Sequence, residues 1–178
     1  MRSAKRIKYL TVGAMLSALG VVFLSLGSLI EVLDLTSAIL ASLLCVYAVI
    51  ELGRGYPWLI WLVTSILSLL LLPVKTPALF YALFAGVYPI LKEKAERLGH
   101  LPCFLIKAVI LHVSLGLIFL TLKLFIPSSL ESYGLWWLPL ILYLLCLACF
   151  WLYDIALTRV ITFYMFRLRR RFGMRREK

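Results

Sequence analysis

Few side chains in the apolar stretches of this 178-residue chain could do chemistry. His112 lies near the middle of one stretch, where an imidazole could bind a polar ligand or hydrogen-bond to a neighbouring helix. Cys146 and Cys149 share a helix face at i and i+3, but inside an apolar stretch we interpret both as small packing residues. The sequence contains no zinc, serine-nucleophile or nucleotide-phosphate motif, so we predict neither an enzyme nor a metal or cofactor site.

Two ionisable residues, Lys107 and Asp154, also lie within apolar stretches. A charge inside a membrane is costly unless it has a partner, and antiparallel neighbouring helices would place these two at similar depth. We therefore predict a structural ion pair between Lys107 and Asp154. The alternative interpretation is that Lys107 extends to the interface and that Asp154 pairs with Arg159.

Six apolar stretches must position these residues. The hydrophobic fraction of 63% and the mean hydropathy of +1.02 exceed the values typical of soluble globular chains. A membrane crossing needs roughly 20 apolar residues, and several stretches approach that length. We predict an all-α polytopic membrane protein, with one six-helix transmembrane domain over 1–178 and a basic cytoplasmic tail over 159–178. The stretches cover about 9–30, 35–50, 57–72, 78–91, 102–125 and 135–157.

The connections between stretches carry turn signals. Gly53 and Gly55 tolerate positive φ and Pro57 suits the first turn of a helix, so they predict a tight turn before the third stretch. Pro89 predicts a kink or an early end of the fourth stretch. Residues 92–100 and 126–134 read as a charged inner loop and a polar outer loop. The short second and fourth stretches are candidates for lining a site.

The basic residues give the orientation. Sixteen of the 19 Lys and Arg residues precede the first stretch, follow the second or fourth, or lie in the C-terminal tail. Because short loops rich in Lys and Arg stay cytoplasmic, we predict that both termini are cytoplasmic. The net charge of +11 then indicates contact with anionic lipid of the inner leaflet rather than with nucleic acid. We expect the plasma membrane of a bacterium.

The first stretch has small residues at helical spacing. Ala14 and Ala18 share one face, as do Gly13 and Ser17, so another helix could approach closely. The spacing leaves open whether that helix belongs to this chain or to another subunit.

Three short segments resemble a known family. They are Ala14-Met-Leu-Ser-Ala18, the run that starts at Asp34 and reads Asp-Leu-Thr-Ser-Ala-Ile-Leu, and Gly53-Arg-Gly-Tyr56. Together with the length and the six stretches, they resemble the substrate-binding S-components of energy-coupling factor (ECF) transporters. The resemblance implies capture of a vitamin or related micronutrient on the outer side, with a transmembrane coupling subunit and two ATPases as partners.

The resemblance also implies roles for residues. Ala14 and Ala18 match the family's alanine pair, which faces the coupling subunit. The family binds its solute at the first outer loop and the outer halves of later spans. The corresponding candidates here are Glu31, Asp34, Tyr81, His112 and Tyr143. The start Met1-Arg2-Ser3 departs from the Met-His start of the nickel and cobalt members, which argues against those metals as the solute.

Two other interpretations remain open. A scaffold resembling the rod-shape-determining MreD proteins would have similar size and spans, but it would present a groove for partner helices instead of an enclosed outer pocket. An intramembrane enzyme that used His112 with a carboxylate would need a second group, and no spacing ties one to His112.

Overall fold

The computed structural model describes residues 2–53, 55–96, 106–117 and 138–168. All regular elements in these ranges are helical, which confirms the all-α prediction. The chain divides into two compact units, Met1–Phe125 and Ile126–Lys178, which we describe separately. The predicted outer loop over 126–134 lies outside the described residues, and the prediction of one domain stays a prediction.

The described residues form helices and short helical turns. The elements are α1 (Arg2–Leu29), a 3₁₀ turn (Glu31–Leu33), α2 (Asp34–Glu51), α3 (Tyr56–Leu71), α4 (Thr76–Phe80), a π-helical turn (Tyr81–Ala85), α5 (Val87–Glu96), α6 (Ile106–Leu117), α7 (Leu138–Phe163) and a second π-helical turn (Tyr164–Leu168). The helices α1 and α2 are long and apolar enough to cross a membrane, as is the segment Tyr143–Phe166, whereas α3 and α6 are apolar but shorter.

The helices α1 and α2 run antiparallel. Near the end of α1, Gly27 lies against Ser37 in the first turns of α2, and further back along α1, Gly20 lies against Leu44. The contacts thus move forward along α2 as they move backward along α1. The connection is short because the 3₁₀ turn reverses the chain between them.

The helices α1 and α3 run parallel. Gly13 lies against Ile60 in the first half of α3. At the other end, the Ser28 hydroxyl donates to the carbonyl of Val74, just after α3, at 3.1 Å and accepts from the Val74 amide at 3.0 Å. Contacts therefore advance in the same direction along both helices, as the predicted alternation of stretches requires.

The elements α4, π-turn and α5 form one continuous helical segment, which we call the fourth helix. Phe80, Tyr81 and Gly86, at the joints, all have right-handed helical φ and ψ values. The segment is antiparallel to α3, because Trp61 contacts its first half and Trp58, earlier on α3, contacts Lys94 near its end.

The fourth helix corrects two predictions. Pro89 does not end the helix, because helical structure continues to Glu96. Proline lacks the N–H that would bond to the carbonyl four residues earlier, at Ala85. The interruption of α-helical hydrogen bonding therefore lies one turn before Pro89, in the π-turn. The charged inner loop predicted from Lys92 begins as helix, since Lys92 and Glu96 are an i, i+4 pair with a 3.8 Å separation of Nζ and Oε1.

The turn before α3 confirms part of its prediction. Gly53 has φ +91°, in the region that glycine favours, whereas Gly55 has φ −94°, an ordinary value. Of the two glycines that tolerate positive φ, the turn therefore uses this freedom at Gly53. Pro57 lies in the first turn of α3, as predicted.

The second unit contains one long helix among the described residues. The chain remains α-helical from Leu138 to Phe163, past the predicted end of the sixth stretch near Leu157 and into the basic tail predicted from 159. Val160, Ile161 and Phe163 continue the apolar character past Arg159. The division between span and tail stays a prediction.

The core of the first unit surrounds α2. This helix buries small residues at intervals of three and four, namely Ser37, Ala38, Ala41, Ser42, Cys45 and Ala48. Small side chains allow helix backbones to approach closely, so α2 contacts α1, α3 and the fourth helix. The short second stretch thus lies at the centre of the unit.

Candidate functional site

The two small-residue pairs of α1 lie on different faces. Gly13 and Ser17 are buried, whereas Ala14 and Ala18 are exposed. The structure therefore answers the question that the spacing left open for the first pair, which packs inside this chain. The second pair has no neighbour from the described residues that covers it.

The buried face of α1 is what we call the small-residue seam, formed by Gly13, Ser17, Gly20 and Gly27. A Cβ at Gly20 would lie 3.0 Å from Thr64 Cγ2 on α3, and one at Gly27 would lie 2.0 Å from Ser37 Oγ on α2. The Ser17 hydroxyl donates a hydrogen bond to Gly13 O in its own helix at 3.0 Å, so this buried donor has an acceptor. The seam thus brings α2 and α3 against α1, and at Gly20 and Gly27 it leaves no room for a larger side chain without movement of the neighbouring helix.

The exposed face of α1 alternates small and large side chains. Met15 is 69% exposed, Leu19 43% and Val22 52%, on the same exposed side of α1 as Ala14 and Ala18. The two alanines, one helical turn apart, form a shallow strip beside these longer apolar side chains. Such a strip can accept a helix of another protein at short distance.

The acidic candidates Glu31 and Asp34 lie at the turn between α1 and α2. Glu31 begins the 3₁₀ turn, and Asp34 is the first residue of α2 and is half-buried. The hydroxyls of Thr36 and Ser37 donate to Leu33 O and Asp34 O at 2.9 Å each, which fixes the first turn of α2. The turn is therefore an ordered feature next to the helix ends.

Tyr81 lies in the core. Its side chain is only 1% exposed and belongs to a buried cluster with Leu24, Ala38 and Leu72. Ala38 is one turn of α2, about 6 Å along the axis, from Asp34. The structure thus places Tyr81 in the same buried cluster as a residue one turn of α2 beyond Asp34.

The carbonyl groups of the π-turn receive hydrogen bonds from three other helices. The Trp61 indole N–H donates to Ala82 O at 3.1 Å, and the Ser114 hydroxyl of α6 donates to Leu83 O at 3.2 Å. The Cys45 thiol of α2 donates to Gly86 O at 3.3 Å. The sequence did not predict this junction. The local sequence signal for an irregular helix is Pro89, which predicts a kink or an end at its own position and not a junction one turn earlier.

Gly86 makes the junction possible. A Cβ there would lie 2.5 Å from Trp61 Cδ1 and 2.9 Å from Tyr81 Cζ, both shorter than real contacts. The two aromatic rings therefore meet the fourth helix where it has no side chain. This glycine was not among the residues singled out from the sequence.

The remaining solute candidates are His112 on α6 and Tyr143 on α7. His112 is exposed on α6, and its Nδ1 lies 2.8 Å from Ala108 O in the preceding turn of the same helix. The face of α6 that contacts the π-turn carries Ser114 instead. Tyr143 is 40% exposed on α7 in the second unit, so its role beside Tyr81 stays a prediction.

The two residues of the predicted ion pair lie in different units, so the pair stays a prediction. Lys107 is half-buried on α6 in the first unit, and Asp154 is 8% exposed on α7 in the second. The backbone carbonyl of Asp154 accepts the Thr158 hydroxyl at 2.8 Å, which is a bond within α7.

Aromatic and cationic side chains gather at the end of the first unit where α3 begins. The Lys94 Nζ lies 5.3 Å from the centre of the Trp58 ring, a cation–π distance. Tyr9 of α1 and Tyr56 of α3 meet edge to face, with ring centres 5.5 Å apart. Such amphipathic rings are typical of a membrane interface. This is the end that the basic residues predict to be cytoplasmic.

Within the described ranges, no group of three or more His, Cys, Asp or Glu side chains could hold a metal ion. In the part of the chain that the structure describes, three helices are long and apolar enough to cross a membrane, which defines the class as helical with candidate membrane spans. No family model, curated protein or solved structure matches the chain.

Proposed function

We propose that this protein is the solute-capture subunit of an ECF-type uptake transporter, with six spans and both termini in the cytoplasm of a bacterium. It would bind a small solute, such as a vitamin, from the outer side. A transmembrane coupling subunit and two ATPases would supply the energy. The scaffold resembling MreD is the competing interpretation.

The observation that carries the proposal is the separation of faces on α1. A residue pair that docks a second protein must be exposed, while the rest of the helix must still be held by its own bundle. Ala14 and Ala18 meet the first condition, and Gly13 and Ser17 meet the second. Small residues at the exposed positions favour close approach by a partner helix.

The alternation of directions along α1, α2, α3 and the fourth helix supports the six-span topology. The positive charges and the aromatic groups of one end support the cytoplasmic placement of the termini. A reporter fused to the C-terminus tests it, since we expect activity for a reporter that works only in the cytoplasm and none for one that works only outside.

Solute capture would involve the acidic turn and Tyr81. Glu31 and Asp34 lie at the predicted outer end, and Tyr81 lies in the buried cluster that includes Ala38 of α2. Binding energy would shift the protein between states that differ in contact with the coupling subunit, and the ATP cycle of the partner would reverse that shift. No covalent chemistry is required of these residues.

The decisive experiment is co-purification of the double variant Ala14→Leu with Ala18→Leu from cells that contain the coupling subunit and ATPases. We expect loss of the complex, because two leucines fill the shallow strip, while the variant alone remains folded. The matched control replaces Ala148 and Ala156, which are also exposed alanines but lie on α7, with leucine. Unchanged co-purification of the α1 variant would contradict the proposal.

A thermal-unfolding screen separates capture from scaffolding. A solute that binds only the folded protein raises its melting temperature, by an amount that grows with the ratio of concentration to Kd. We expect a vitamin, nucleobase or amine to stabilise the purified protein. If none does and the exposed alanine strip still binds a membrane partner, the scaffold is favoured.

A further inference from the structure

The π-turn contains an exchange of hydrogen-bond partners. The Gly86 N–H donates to Tyr81 O, five residues back, at 2.8 Å. In an α-helix it would donate to Ala82 O, four residues back. The Trp61 indole N–H donates to that carbonyl instead, at 3.1 Å. Trp61 therefore occupies the acceptor that an α-helical arrangement would assign to Gly86.

The two arrangements differ by one hydrogen bond. The α arrangement keeps an acceptor for the Gly86 N–H but takes Ala82 O away from the Trp61 indole N–H, so it lies above the π arrangement in free energy. The Pro89 ring crowds the carbonyl of Ala85, which removes part of the usual advantage of α geometry in this segment. The π arrangement is thus the major form.

The surroundings allow the fourth helix to move at this point. Gly86 has no Cβ, so the rings of Trp61 and Tyr81 meet it without a side chain that would wedge the turn in place. The Ser114 hydroxyl donates one hydrogen bond to Leu83 O, and the Cys45 thiol donates one to Gly86 O. Each is a single bond that can break. Turns of the π type occur frequently at functional sites.

We propose that residues 81–86 form a two-state element, with the observed π form and an α form in which Gly86 N–H bonds to Ala82 O and Trp61 releases it. An α-helix turns by about 100° and rises about 1.5 Å per residue. The shift of one residue in register therefore rotates residues 76–81 by about that angle relative to 87–96. Tyr81 then leaves its buried cluster. This motion is a property of the fold and does not depend on the transport proposal.

The experiment is ¹⁵N relaxation dispersion on the tryptophan indole groups of the full chain in lipid nanodiscs. This method detects exchange on the microsecond to millisecond timescale. The chain has five tryptophans, and Trp61→Phe identifies the Trp61 signal by its disappearance. We expect an exchange contribution at Trp61, from a minor form populated at roughly 0.1 to 10%.

Two variants test the mechanism of that exchange. Deletion of Ala82 removes the additional residue of the π-turn, so the flanking segments join in α geometry without rotation, and we expect the Trp61 exchange to vanish. Ser114→Ala removes one bond to the turn and should change the minor population roughly two- to tenfold. A flat Trp61 profile in both the native protein and Ser114→Ala would overturn the proposal. Exchange that persists after the deletion, or a deletion variant that does not fold, would overturn it as well.

Discussion

The small-residue seam of α1 and the fourth helix bring helices together in opposite ways. The seam uses glycine and serine, so that α2 and α3 approach the α1 backbone directly. The fourth helix uses a break in its own hydrogen bonding, and its carbonyl groups accept bonds from Trp61, Ser114 and Cys45. The first contact is made by shape, and the second is made by polar bonds to backbone.

The difference matters because apolar burial gives little drive to association inside lipid. Close packing of small residues and hydrogen bonds across helices are the remaining sources of stability. A contact made by close packing is weakened when atoms are added. A contact made by hydrogen bonds is weakened as well when a single donor is removed. Substitutions can therefore distinguish the two regions by the kind of change that each tolerates.

Gly27→Ala should have the largest effect. The new Cβ would lie 2.0 Å from Ser37 Oγ and 2.8 Å from Ser37 Cβ, and the hydroxyl can rotate away but the Cβ cannot. We expect a loss of roughly 2 to 3 kcal/mol in the free energy of unfolding, from forced separation of α1 and α2. Denaturant titration in mixed micelles measures it. Gly116→Ala on α6 is the control, since nothing lies within 4 Å of its Cβ position. An equal loss in both variants would remove the argument from shape.

Gly86→Ala should destabilise by about 2 kcal/mol. Its Cβ would lie 2.5 Å from Trp61 Cδ1, 2.9 Å from Tyr81 Cζ and 3.0 Å from the backbone oxygen of Tyr81, and the two closest of these are side-chain atoms, which can adjust more than a backbone can. We expect the intrinsic fluorescence of the protein to change as well, because the indole of Trp61 must move. A stable variant with native fluorescence would show that the rings do not meet at Gly86.

Trp61→Phe should cost about 1 to 2 kcal/mol, because the ring remains but Ala82 O loses the donor. The comparison variant is Trp58→Phe, whose ring stacks edge to face on Trp61 at 5.6 Å and lies below the Lys94 amine. Phenylalanine keeps both of those contacts, so the loss at position 58 should be smaller. Equal losses would mean that the indole N–H contributes nothing to the fourth helix.

The helices of the seam could be predicted from the sequence because their signals are local. The apolar stretches, the glycine with positive φ at Gly53 and the proline in the first turn of α3 each report on a few neighbouring residues. The small residues of α1 were likewise visible by their spacing. Which of the two pairs was buried could not be predicted, because that depends on where α2 and α3 lie.

The fourth helix could not be predicted in the same way. Pro89 shows that a helical bond is missing, but the place where the backbone opens depends on donors from α2, α3 and α6. Those donors are distant in sequence, and even the positions of Trp61 and Ala82 differ by 21. The burial of Tyr81 has the same origin. No local sequence pattern predicts a junction that depends on residues so far apart in the chain.

The smallest effect on stability is expected for the double variant Ala14→Leu with Ala18→Leu, measured on the isolated protein. Both positions are exposed, so the added atoms meet no part of the described chain, and exposed substitutions usually change stability by less than about 0.5 kcal/mol. The same exchange one position earlier, at Gly13 and Ser17, adds atoms to the buried seam, where Gly13 already lies against Ile60. We expect the second pair to cost several times more by the same titration. If the exposed pair instead destabilised the isolated protein as strongly, the alanine strip would be an internal contact, and the surface proposed for the coupling subunit would not exist.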